Sequence, residues 1–191
     1  MRSGRSVGIG HVACVLVIVC ADAAHAETPK VQSIFAHMVK LRPLIGSWTA
    51  AVDFHDRDGS VTAEEASYVI KPVLDGTYLE WDVTVYRKDN PGRRHSFMIM
   101  TTYNPDTAKY DQTYFYSRSA TRVTEAGEFD DASKEFRTTA FVPREDGVHD
   151  ESVRTITSFI GNGRIEHWHF SLYNNEKAEL MNFHAKMLRS Q

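Results

Sequence analysis

The chain has 191 residues, with 22 Lys and Arg against 25 Asp and Glu for a formal charge of −3, and it is 25% charged and 42% hydrophobic. That is enough chain for one well-packed domain. A collagen, a disulfide-rich miniprotein, a disordered tail and a basic nucleic-acid binder are excluded by the same values.

Arg2 and Arg5 precede an apolar run from Val12 to Cys20, and Ala24-His25-Ala26 fits the small-x-small rule for signal cleavage. Residues 1–26 therefore read as an export signal, and residues 27–191 as a single mature domain, periplasmic or secreted. The run is too short to cross a bilayer, and no later stretch approaches the roughly 20 apolar residues of a spanning helix, so no membrane span is expected. Both cysteines, Cys14 and Cys20, fall inside the signal. The mature chain is thus expected to carry no disulfide, cysteine nucleophile or thiolate metal site. Its acidic balance steers it towards neither phosphate backbones nor anionic lipid, and no nucleic-acid partner is expected.

Val31, Ile34, Phe35, Met38 and Val39 recur every three or four positions until Pro43, which predicts one short amphipathic helix. Beyond Trp48 the period falls to two, and turn residues such as Asp56-Arg57-Asp58-Gly59, Asp75-Gly76, Asn104-Pro105-Asp106 and Gly161-Asn162-Gly163 interrupt it at short intervals. The strands fall near 47–55, 61–73, 77–88, 93–103, 108–117, 118–126, 135–142, 149–160, 164–173 and 177–188, with Gly127 to Ser133 as one of the separators. A meander without crossover helices predicts an all-β fold, a single antiparallel barrel of about ten strands, with a two-sheet sandwich as its rival.

Leu44-Ile45-Gly46-Ser47-Trp48, following the helix, resembles the Gly-x-Trp opening of the lipocalin and calycin barrels. That resemblance implies a Trp48 that plugs one end of the barrel under a basic residue of the last strand, Lys186 or Arg189. Together with Leu74-Asp75-Gly76-Thr77-Tyr78-Leu79-Glu80, Thr102-Tyr103-Asn104 and Lys109-Tyr110, the order is similar to the bacterial lipocalin-like family called domain of unknown function 1579. Asn104 stands where an Asp is common in that pattern. The nitrobindins, a related barrel family, are similar in their opening and bind haem through a late histidine. For this chain that likeness implies His184 as a haem ligand, with an ordinary strand histidine as the competing reading.

Opposed residues on paired strands point to the same face, so hairpin arithmetic sorts the side chains. With Asp75-Gly76 as a two-residue turn, Lys71 opposes Glu80 and Val69 opposes Asp82. Setting Lys88 opposite Arg93 and Tyr103 opposite Ala108 then gathers Tyr78, Glu80, Asp82, Tyr86, His95, Phe97, Ile99, Tyr103, Tyr110, Tyr114 and Tyr116 on one face. The other face carries Leu79, Trp81, Val83, Val85, Met98, Met100 and Phe115. Burial of apolar residues favours the second face as interior. If Asp56 to Gly59 is a four-residue loop, however, Trp48 opposes Ser67 and the tyrosine and carboxylate face is the cavity; a one-residue change of loop length reverses this. With Ile160 opposite Ile165, the later strands place Phe159, Trp168, Phe170, Met181, Phe183 and Met187 inside, and His167, His169, Asn182, His184 and Lys186 outside.

The expected ligand contacts are accordingly Trp48, Glu80, Phe97, Tyr103, Tyr114, Tyr116, Trp168 and Phe170. They describe a cavity for a small hydrophobic or aromatic molecule, bound by burial and oriented by a few polar groups. A cofactor-independent lyase or isomerase is the alternative, with Glu80 or Asp82 as base and Tyr114 assisting, because crowded carboxylates in an apolar barrel share a raised pKa. A surface pair bridged to Lys71 is the bland counterpart. His167-x-His169 with His184 is a weak metal pattern, since a metal needs three or four converging ligands. No cofactor is expected apart from the haem that the nitrobindin likeness raises. A monomer and a homodimer are equally compatible with the sequence.

Overall fold

The computed structural model describes residues 28–87, 90–117, 122–142, 151–173 and 179–190; the expected export signal lies outside them. Thr28 caps a helix α1 (Pro29–Met38), its hydroxyl accepting from the Val31 amide at 3.5 Å, and Pro29 takes a first-turn position where a missing N–H costs nothing. The chain then tightens into a 3-10 turn over Val39–Leu44 that absorbs Pro43.

Ten strands follow: β1 (Gly46–His55), β2 (Val61–Val73), β3 (Tyr78–Arg87), β4 (Asn90–Asn104), β5 (Lys109–Tyr116), β6 (Arg122–Asp130), β7 (Glu135–Val142), β8 (Glu151–Gly161), β9 (Arg164–Tyr173) and β10 (Leu180–Arg189). Each pairs antiparallel with the next and β10 returns to β1, so the sheet closes into a barrel as the meander predicts, and the sandwich is ruled out. β6 is the one strand placed badly from the sequence. It runs through Gly127 to Asp130, because that glycine is no turn residue but the point where the β7 backbone comes close.

Helix α1 lies at the end of the barrel where β1 begins. Tyr110 donates to the His37 carbonyl at 2.9 Å, and the His37 ring stacks on Tyr103 with centroids 3.6 Å apart. Trp48, 2% exposed, donates its indole N–H to the Leu44 carbonyl at 2.7 Å and fills this end. Arg189, rather than Lys186, is the basic residue over it, with the guanidinium 4.5 Å from the ring and hydrogen bonds of 2.9 Å to the carbonyls of Pro43 and Ile45. Gly46 makes room for that guanidinium, since a Cβ there would sit 2.6 Å from Arg189 Nη1. Arg189→Met, which keeps the stem and removes the cation, is expected to cost about 1–2 kcal/mol in urea unfolding. A midpoint equal to that of the unmodified protein would show that the clasp contributes nothing.

Register decides which faces point inward. β2 and β3 pair as predicted, Lys71 with Glu80 and Val69 with Asp82. The β1–β2 connection has five residues, closed by the Asp56 amide on the Ser60 carbonyl at 2.9 Å, so Trp48 opposes Tyr68 instead of Ser67. An irregularity follows Tyr86, which opposes Arg94, and Glu80 therefore opposes Met100. Each extra residue reverses a face. Leu79, Trp81, Val83 and Val85 thus point inward together with Ile99, Tyr103, Tyr110 and Tyr114, two sets that the sequence arithmetic separates.

Candidate functional site

Above the Trp48 plug, the barrel interior is apolar on the side of Ile70, Trp81 and Val83 and carries a buried polar cluster across β4 to β8. Glu125 on β6 is 1% exposed. Thr138 donates to its Oε2, and Thr155 donates to its Oε1 at 3.1 Å. Burial pushes this carboxyl up from its ordinary value, while the two threonine hydroxyls pull the other way. Beside it Tyr114 donates to Gln112 Oε1 at 3.1 Å, and Gln112 Nε2 donates to Thr101 Oγ1 at 3.3 Å. Burial and the neighbouring Glu125 raise the Tyr114 phenol well above its usual range. These residues are placed by alternation alone, since Gln112 opposes Thr101 on β4 and Glu125 on β6, while Thr138 opposes Thr155.

Over this polar layer, towards the end opposite Trp48, lies a cavity of about 210 Å³. Phe54, Phe97, Ile99 and Phe183 give it apolar walls, Tyr68, Tyr114 and Tyr116 line it with phenols, and His167, His169 and Asn182 complete it. Phe54 and Phe183 meet edge to face at 5.2 Å across the β1–β10 seam. His167 is hydrogen-bonded to Thr157 at 2.8 Å through Nδ1, and burial, with the imidazoles of His169 and His184 nearby, drives its pKa down to about 3. It is therefore a neutral imidazole at physiological pH. Two buried donors, the Tyr68 hydroxyl and the Trp81 indole N–H, have no hydrogen-bond partner among the described residues.

Of the residues expected to line a cavity, Phe97, Tyr114 and Tyr116 do so. Trp48 and Tyr103 are interior but belong to the plugged end. Glu80 is on the outer face, bridged to Lys71 at 2.8 Å, and Asp82 is exposed beside it. The proposed carboxylate base is thereby removed from the interior.

The C-terminal assignment is reversed in part. Ile165 opposes Phe159 rather than Ile160, and this irregularity, with a second at Asn182, turns Trp168 and Phe170 outward and His167 and His169 inward, while Phe183 and Met187 keep their inward places. Trp168 stacks on His184 at 5.1 Å, and Phe170 lies under the Arg154 guanidinium at 4.2 Å. His184 itself bonds to Glu166 at 3.1 Å on the outside. It does not face the cavity, and the space bounded by the described residues is too small for a four-ring macrocycle, so the geometry does not fit haem at His184. Among the described residues no three His, Cys, Asp or Glu converge as metal ligands.

The sequence reading missed Tyr68, Gln112, Glu125, Phe54 and Asn182 as members of this region. The evenly spaced Thr155 and Thr157, pointing the same way as Tyr110, Gln112 and Tyr114, are the signal that a polar cluster lies inside the barrel. A larger concavity of about 810 Å³ lies over Thr49 and Ala51, bounded by Tyr86, Arg164, Glu166 and Lys186. It is a groove on the outside of the sheet, made by short side chains on β1.

Residues 36–186 match the family described as protein of unknown function (DUF1579). No curated protein matches the chain. Among solved structures, an S-type phycobiliprotein lyase from Guillardia theta is similar at a TM-score of 0.55 and 10% identity, over 85% of this chain and 93% of that one. The likeness establishes a lipocalin-like barrel. Among the described residues no helix is long and apolar enough to cross a membrane.

Proposed function

We propose that this chain, which belongs to the DUF1579 family, is an exported barrel that binds a small, largely apolar or aromatic molecule in its interior. One observation carries the reading. The cavity of about 210 Å³ is walled by phenylalanines and tyrosines, and it is sealed below by a layer whose polar groups are mostly engaged with one another. Its size bounds the occupant, since a cavity of about 150 Å³ holds benzene and drug-sized ligands take about 300 Å³ or more. A molecule of one or two rings suits it. The likeness to a phycobiliprotein lyase supports the fold and leaves the choice of ligand to these walls. The residues at 1–26 support export to the periplasm or the medium.

Native mass spectrometry of protein purified from an exporting host, followed by denaturation and small-molecule identification, tests the reading directly. A stoichiometric one- or two-ring compound is the expected result. A titration with naphthalene, followed by tyrosine and tryptophan fluorescence, extends the test to empty protein. Phe183→Ala is expected to weaken this binding about tenfold by removing a wall, whereas Trp168→Ala, on the outer face, leaves it unchanged. The opposite ranking would move the site to the outside of the barrel.

A further inference from the structure

Tyr68 is 2% exposed and lines the cavity, yet its hydroxyl has no partner among the described residues. Tyr114, which also lines the cavity, already donates its hydrogen bond to Gln112 Oε1. A buried hydroxyl without a partner weakens a fold, and a phenylalanine would pack the same space without that cost. Its place on a cavity wall therefore points to a bond made with whatever enters. Resting on the binding role proposed above, we infer that the ligand is a neutral molecule that presents a hydrogen-bond-accepting oxygen or nitrogen, such as a carbonyl, to the Tyr68 hydroxyl.

The charges around the cavity set the sign. Its described walls contain no Lys or Arg. The imidazole of His167 stays neutral to about pH 3, and burial holds the Tyr68 phenol in its protonated, donating form. Glu125 lies under Tyr114 and offers an anion nothing but repulsion when ionised. A carboxylate ligand would leave water with no cation to meet it, which is far more costly than moving a carbonyl onto one phenolic donor. A pure hydrocarbon would fit the walls but leave the hydroxyl unpaired.

Three probes of similar shape separate these cases: acetophenone, cumene and benzoate, titrated by ligand-detected NMR into the mature protein at pH 8, where a histidine of ordinary pKa is neutral. Acetophenone is expected to bind on the order of tenfold tighter than cumene, with benzoate weakest. Tyr68→Phe should erase the preference for the ketone while leaving cumene affinity as it was. Cumene binding at least as tightly as acetophenone, benzoate binding best, or a ketone preference that survives Tyr68→Phe would each overturn the inference and leave the cavity standing. Failure of all three probes to bind would overturn the binding role itself. The ranking in the unmodified protein decides the matter even if the variant folds poorly.

Discussion

Alanine in place of Gly127 is expected to leave the barrel unfolded, or to lower its stability by roughly 3 kcal/mol or more. A Cβ at this position would lie 1.8 Å from the Arg137 carbonyl oxygen and 2.6 Å from Thr138 Cα, and both are backbone atoms of β7 that no rotamer change can move. The strand would have to withdraw, taking with it Thr138, which bonds Glu125, and Phe136, which packs on Tyr110 with ring centroids 5.3 Å apart. Gly59→Ala is the comparison, because no atom lies within 4 Å of a Cβ there and only its φ of +83° is unfavourable, a cost of about 1 kcal/mol. Circular dichroism and urea midpoints of the two variants test the argument. Equal midpoints would mean that β6 and β7 do not approach as described.

Acid is expected to destabilise the protein through His167. Its folded pKa is depressed to about 3 by burial, whereas an unfolded histidine titrates near 6.5. The neutral ring's contribution is therefore complete above pH 6.5 and is lost as pH falls from there towards 3, on the order of 5 kcal/mol in all. Glu125 works in the opposite sense. Its raised pKa favours the protonated carboxyl, so its contribution is complete below the unfolded carboxyl value and fades as pH rises through the folded one. His167→Gln keeps a neutral polar side chain near Thr157 and removes only the first effect. Its urea-unfolding free energy should fall much less steeply than that of the unmodified protein between pH 6.5 and 4. Parallel curves would show that another group carries the acid transition.

The barrel was legible because period-two runs and turn residues are local properties of the chain. The helix and the strands other than β6 follow from such short-range signals, and the Trp48 plug from the resemblance of Gly46-Ser47-Trp48 to the lipocalin opening. The inward faces were not, since they depend on counting residues through connections. One residue between Asp56 and Ser60, and irregularities after Tyr86, at Ile160 and at Asn182, each invert a strand's two sides. Glu80, Trp168 and Phe170 were thus read as interior, whereas His167 was read as surface. Phe97 was placed correctly because the errors between Asp56 and Ser60 and after Tyr86 cancel, and Tyr114 and Tyr116 because the β4–β5 register departs from the expected one by two residues, which leaves the faces unchanged. Glu125 escaped notice for a different reason: it falls in the strand expected at 118–126, and reading Gly127 as a turn residue left that strand without a register and so without an inward face.

The seam between β1 and β10 joins Trp48 to Arg189 and Phe54 to Phe183, so the first strand of the sheet waits for the last. Loop closure over nearly the whole domain is an entropic toll that no local hairpin shares. Until it is met, two strand edges stand unpaired, and each is a template for pairing with another chain. The protein should therefore fold late and in one concerted step, and a chain cut short of β10 would aggregate rather than persist as an open sheet.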